Sequence, residues 1–227
     1  MKKALISLGI LLLINTNLKA QKGKIDFGFL GGLNVSNFYD FKTSFRKEKL
    51  KSYAVGGNIG YTLNNMFSIR ANLMYEVKGE ETNIQSTDAL GNNIGGYSVL
   101  KLNYTTLHIL TRATFGDKIQ FYAEAGPYAA YLLNAQAVVI ANSQVNGVYY
   151  GTFKQDISTV YKSTNFGLTA GIGANYPINK KMGIELTVRR SMGLTSISKI
   201  NRAPTTYFSD NLKTNSIAVL AGMNFKL

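Results

Sequence analysis

Eight times along the chain, a run of about ten residues or more alternates apolar side chains with small or polar ones, and only a β-strand keeps one face apolar at a period of two. The cleanest run sets Phe67, Ile69, Ala71, Leu73, Tyr75 and Val77 against Ser68, Arg70, Asn72, Met74, Glu76 and Lys78. In the run before it, Tyr53, Val55, Ile59, Tyr61 and Leu63 share one face, with Ser52, Ala54, Gly56, Asn58, Gly60 and Thr62 on the other. The other six runs cover about 24–35, 99–115, 119–133, 165–176, 182–194 and 215–227. Each is long enough to cross a bilayer as a tilted strand. Only three prolines, with 22 glycines, 14 tyrosines and 12 phenylalanines, suit long strands whose backbones approach closely.

Alternation alone does not separate a soluble barrel from a membrane one, because the same pattern can bury either face. The connections discriminate. Runs two and three are joined through Asn64-Asn65, four and five through Gly116-Asp117-Lys118, and six and seven through Pro177-Ile178-Asn179-Lys180-Lys181. The intervening connections, 36–51, 79–98, 136–162 and 195–213, are long and polar. Short turns at one end and four long surface loops at the other are the asymmetry of a membrane barrel. In hydrocarbon an open sheet edge leaves unpaired backbone groups at several kcal/mol each, so the first strand must close on the eighth. The expected fold is all-β: an eight-stranded antiparallel up-and-down transmembrane β-barrel, its short turns and both termini on the periplasmic side.

The N-terminus reads as an export signal. Lys2 and Lys3 form a positive n-region and Ala4 to Ile14 an apolar run too short to span a bilayer, with small Ala20 before Gln21. Two segments are therefore expected, a signal peptide at 1–20 and a barrel domain at 21–227, the other reading being a retained N-terminal helix. Without Lys2, Lys3 and Lys19, 22 of the 25 basic residues remain against 12 acidic ones. A soluble protein this basic suggests nucleic acid, but export excludes that partner and makes anionic lipid and lipopolysaccharide headgroups the expected ones. With no cysteine there is neither a disulfide framework nor a thiolate metal site.

By the alternation, Arg70, Glu76, Arg112, Glu124, Glu185 and Arg189 all point inward, three cations and three anions. Eight strands enclose a lumen just filled by side chains, so these charges are expected to pair as a plug with Tyr104, Tyr122 and Tyr128 nearby, the functional alternative being a proton or ion path. His108, the only histidine, faces the lumen at mid-strand. A general base or metal ligand needs convergent partners, so it reads as filler, with a pH-sensitive strut as the alternative. No catalytic, metal or cofactor-binding residue is assigned. In the first long loop Lys42, Arg46, Lys47, Lys49 and Lys51 outnumber Asp40 and Glu48. They form either a solvated loop or a contact for lipopolysaccharide phosphates or an acidic partner. Tyr53, Tyr61, Tyr75 and Tyr176 read as an aromatic girdle, and Lys180 and Lys181 as cations snorkelling at the short-turn rim.

These segments also resemble the PorT-like outer-membrane β-barrel family across nearly all of the chain after the signal. Gly31-Gly32-Leu33-Asn34-Val35-Ser36 is similar to the end of that family's first strand, and Leu73-Met74-Tyr75 with Lys78-Gly79 to the end of its third. Leu102-Asn103-Tyr104, Ala125-Gly126-Pro127, Gly171-Ile172-Gly173, and Arg189 with Gly193-Leu194 match the later strands in order. The resemblance implies an outer-membrane barrel of Gram-negative envelopes and no particular activity, since named members belong to secretion or surface assemblies. The expected function is thus a non-enzymatic structural or interaction role through the surface loops, with protein partners in an envelope assembly. A lipid-modifying barrel enzyme or a small pore are the alternatives.

Overall fold

The computed structural model describes residues 23–39, 47–87, 93–142, 144–145, 148–149, 152–199 and 211–227. Among the described residues eleven strands follow one another: β1 (Ile25–Tyr39), β2 (Lys47–Thr62), β3 (Phe67–Thr87), β4 (Asn93–Phe115), β5 (Gln120–Asn142), β6 (Gln144–Val145), β7 (Val148–Tyr149), β8 (Thr152–Asp156), β9 (Thr164–Pro177), β10 (Met182–Gly193) and β11 (Lys213–Lys226). Eight of them, β1 to β5 and β9 to β11, pair antiparallel with their neighbours, and β11 pairs with β1 from Asp26↔Lys226 to Tyr39↔Lys213, which closes the ring. Among the described residues no helix is long and apolar enough to cross a membrane.

The register fixes the barrel's dimensions. Stepping across the paired residues from Ile25 leads through Tyr61, Ile69, Thr111, Ala125, Ala170, Arg190 and Ile217 back to β1 at Val35, ten residues further along the strand. Eight strands with a shear of ten tilt by about 40° and enclose a cylinder about 8 Å in backbone radius. The outward residues are apolar and bare: Phe29 is 65 % exposed, Leu33 69 % and Ile172 66 %. Phe27 stacks on Phe225 near the short-turn end and Tyr53 on Tyr75 toward the other. These two aromatic levels stand about 20 Å apart along the axis, somewhat less than the roughly 25 Å apolar band of outer-membrane barrels.

The three short turns are stiffly built. Asn64 Oδ1 accepts from the backbone N–H of Met66 and Phe67, and Asn179 Oδ1 repeats the pattern with Lys181 and Met182, an Asx turn in each case. The third turn has Gly116 at φ +91°, a conformation that favours glycine.

The opposite end departs from the sequence expectation. The second connection, expected as a loop over 79–98, is mostly ladder: β3 and β4 stay paired out to Thr87↔Asn93, and β4 and β5 out to Gly95↔Asn142. The expected first loop shortens too, since β1 runs to Tyr39 and Lys47, Lys49 and Lys51 lie on β2. In the third connection, β8 adds to the far part of β5 through Gln136↔Asp156 to Ile140↔Thr152. The far ends of β3, β4, β5 and β8 therefore form one sheet standing beyond the apolar band. A small apolar cluster of Leu50, Val77 and Val99, with Tyr75, Tyr97 and Val138 against it, supports the pairing there. A one-residue bulge in β2 between Lys49 and Ala54 marks where this extension begins, and Asn34 Nδ2 and Ser52 Oγ donate to the Val77 carbonyl of β3 there.

Candidate functional site

Inside the barrel an apolar cluster and a charge network share the wall. Leu30, Ala54, Met74, Ala218 and Leu220 form the apolar cluster along β11, β1, β2 and β3. The paired charges come from β4, β5 and β10 and from β1 and β3. Arg112 donates through Nε and Nη2 to Glu124 Oε2, at 3.0 and 2.7 Å, and through Nη1 to Glu185 Oε2 at 2.9 Å. Arg189 grips the other oxygen, Glu124 Oε1, through Nε at 3.1 Å and Nη2 at 2.8 Å. Glu124 thus takes four donor contacts from two guanidiniums. The Arg112 guanidinium also lies 3.6 Å from the centre of the Tyr122 ring, whose hydroxyl meets Thr187. Nearer the short turns, Arg70 pairs with Asp26 at 2.9 Å and donates to Asn58 Oδ1 at 3.1 Å.

Toward the long-hairpin end a second centre forms around Glu76. Lys78 Nζ lies 2.9 Å from Glu76 Oε2, Thr106 donates to the same oxygen, and His108 Nε2 is 3.2 Å from Oε1. His108 Nδ1 is 3.1 Å from Thr169 Oγ1, which in turn meets Ser191 Oγ at 2.9 Å. With Nε2–H donating to the carboxylate, Nδ1 accepts from the Thr169 hydroxyl. The order of carboxylate, imidazole and hydroxyl is that of a nucleophilic relay. Here, however, His108 is 0 % and Thr169 2 % exposed, and the Tyr128 ring packs 5.6 Å from the imidazole. A nucleophile so enclosed meets no substrate, and the relay acts as a strut.

The six charged residues expected inside, Arg70, Glu76, Arg112, Glu124, Glu185 and Arg189, are all buried. They divide between the two centres. Asp26 and Lys78 complete this ion-paired set at four cations and four carboxylates, while the buried Glu80 accepts from the Phe38 N–H. Asp26 and Lys78 both occupy the inward phase of their strands, a signal already present in the alternation. Tyr122 and Tyr128 join the polar contacts, whereas the buried Tyr104 hydroxyl has no hydrogen-bond partner and its ring belongs to an apolar cluster.

That cluster caps the lumen. Phe38, Leu102, Tyr104, Tyr128 and Leu132 of the wall receive Tyr161, Ile197 and Leu212 from the third and fourth connections. The capping segments are tied together by Lys162 N–H to the Ile197 carbonyl, Lys199 N–H to Val160 and Ile197 N–H to Leu212. Burial raises the Tyr161 phenol above its usual range, with nearby Glu80 adding to the shift. No stretch of sequence predicts this lid, because its members come from five separate elements.

Of the five basic residues expected to contact anions, Lys42 and Arg46 lie outside the described residues. Lys47, Lys49 and Lys51 sit on β2 instead of in a loop, with Lys49 and Lys51 exposed. On the lipid-facing wall Arg190 is the one outward-facing charge within the apolar band among the described residues. Its Nε donates to Asn215 Oδ1 at 3.3 Å, so the guanidinium reaches toward the long-hairpin end. Among the described residues no group of three or more His, Cys, Asp or Glu side chains is placed to hold a metal ion.

This chain is similar in outline to three solved outer-membrane proteins. It shares 12 % identity with neisserial surface protein A at a TM-score of 0.47, covering 91 % of this chain and 100 % of the other. With OprG from Pseudomonas aeruginosa the values are 11 % and 0.45, over 89 % and 95 %. With Ail, the attachment invasion locus protein of Yersinia pestis, they are 11 % and 0.41, over 88 % and 98 %. No curated protein matches the chain. The family model of the outer membrane protein beta-barrel domain matches residues 19–199. A closed ring of eight tilted strands, an apolar exterior and a charge-paired interior agree with that match: the chain belongs to the outer membrane protein beta-barrel domain family and resides in the outer membrane.

Proposed function

We propose that this protein is a non-enzymatic structural or interaction component of the outer membrane, acting through its surface-exposed long-hairpin end as a subunit of a secretion or surface assembly of the PorT-like kind. One observation carries the reading: the lumen is filled by paired charges and capped by an apolar lid, while β3, β4, β5 and β8 extend well beyond the apolar band. What remains accessible is a sheet outside the membrane, which suits recognition better than transport or catalysis. In this reading residues 1–20 are removed as a signal peptide, residues 21–227 form the barrel domain, the short turns face the periplasm and the hairpins face outward. Lys49 and Lys51, exposed on β2, then lie where lipopolysaccharide phosphates are within a Debye length.

Crosslinking in intact outer membranes, followed by mass spectrometry of what co-purifies, tests the assignment. A stoichiometric protein linked through 79–98 or 136–162 is the expected result. Recovery of the chain with lipid alone would remove the assembly role. Replacing Lys49 and Lys51 and finding lipopolysaccharide retention unchanged would remove the headgroup contact.

A further inference from the structure

The lid closes one end of the barrel, but the other end holds a cavity of about 430 Å³ between the three short turns. Lys24, Lys180 and Lys226 stand at its walls, and Arg70, Asp26 and Arg112 are among the residues that close it off toward the lumen. Five cations thus face it against one carboxylate. Arg112 is satisfied by Glu124 and Glu185, and Arg70 by Asp26 and Asn58 through its terminal nitrogens. The three lysines have no carboxylate partner among the described residues, and the Nε of Arg70 has no hydrogen-bond partner although Arg70 is only 7 % exposed. A plug needing only internal neutrality is complete without the lysines. Their surplus charge around a polar recess matches what a compact multivalent anion requires.

We infer that this cavity binds a phosphate-bearing anion, held by Lys24, Lys180 and Lys226 at its walls. In the orientation proposed above the cavity opens to the periplasm, so the phosphate comes either from a soluble periplasmic solute or from an anionic phospholipid headgroup of the inner leaflet. The recess has room for more than a bare phosphate ion, and a substituent of about sugar size fits beside it. Partial shielding from bulk salt lets three converging lysines act together, where one exposed lysine attracts little.

The test uses protein purified from outer membranes into an uncharged detergent at low ionic strength. Inorganic phosphate and pyrophosphate are titrated calorimetrically, and phosphatidylglycerol retention is read by native mass spectrometry against phosphatidylcholine. The variant K24A/K180A/K226A leaves every lumen pair intact, and K101A/K154A, two exposed lysines away from the cavity, serves as the control. Heat-modifiable migration reports that each is folded. Saturable phosphate binding, weakened at least tenfold in the triple variant and unchanged in the control, is the expected result. Selective retention of phosphatidylglycerol without phosphate binding, lost in the same variant, makes the occupant a lipid headgroup. No saturable binding of either probe, or binding that survives the triple substitution, overturns the site.

Discussion

Glu124 joins two guanidiniums that otherwise stand side by side inside a barrel. Its two oxygens are divided between Arg112 and Arg189, and both arginines are almost fully buried. Removing one partner of a buried pair leaves the other charge uncompensated, at about 3–5 kcal/mol. Glu124→Gln is therefore expected to lower unfolding stability by that order, read from urea titrations of the detergent-refolded barrel. The paired replacement Glu124→Leu with Arg189→Met should recover part of the loss, since the charge and its partner leave together. A cost below about 1 kcal/mol for Glu124→Gln would mean the network is not coupled as its geometry implies. His108 stands in the opposite position. Glu76 keeps Lys78 and Thr106 without it, so His108→Phe should cost about 1–3 kcal/mol for the lost hydrogen bonds and still yield a folded barrel. Failure of that variant to fold would overturn the view of His108 as lumen filler.

At the scale of elements, the β5–β9 seam depends on a repeated pairing of tyrosine with glycine. Tyr122 lies opposite Gly173 and Tyr128 opposite Gly167. A Cβ at Gly173 would come within 2.4 Å of the Tyr122 ring, and one at Gly167 within 2.5 Å of Tyr128. Each ring covers the bare backbone of its neighbour, and for Tyr122 the same placement sets the ring against Arg112. Gly173→Leu should push Tyr122 off both Arg112 and Thr187, costing about 1–3 kcal/mol as overpacking does. A tyrosine fluorescence or NMR spectrum unchanged from the parent would contradict that coupling. The strands themselves were legible in the sequence because each inward or outward choice repeats at a period of two, which is why the six lumen charges could be named beforehand. The extended hairpin was not. Around Glu80, Glu81, Thr82 and Asn83 both faces of β3 turn polar, and the apolar contacts that support the ladder, Leu50 with Val77 and Val99, come from three different strands. The lid was illegible for a different reason: Phe38, Leu102, Tyr161, Ile197 and Leu212 meet only after closure, and no local window contains more than one of them.

For the whole molecule, size decides whether the barrel conducts. A backbone radius of about 8 Å leaves room inside for side chains and little else. Here that space is taken by an apolar cluster built on Leu30, Met74 and Leu220 and by charge pairs built on Arg112, Glu124 and Arg189 with those of Glu76 and Arg70. A hydrated ion moving through would have to part Arg112 from Glu124 and then lift Tyr161, Ile197 and Leu212 out of the mouth. The first step exposes buried charge and the second exposes apolar surface, so their costs add along the path. Buried pairs are also poorly screened, so raising the salt concentration should not open the lumen. In planar bilayers the refolded protein is therefore expected to give no steady conductance from low to molar salt, at either polarity. Brief noise that disappears in variants tightening the lid would be compatible with occasional opening of the cap. A stable ohmic step of fixed size would mean that the charge network of the lumen is a path after all, and would restore the pore reading over the interaction role.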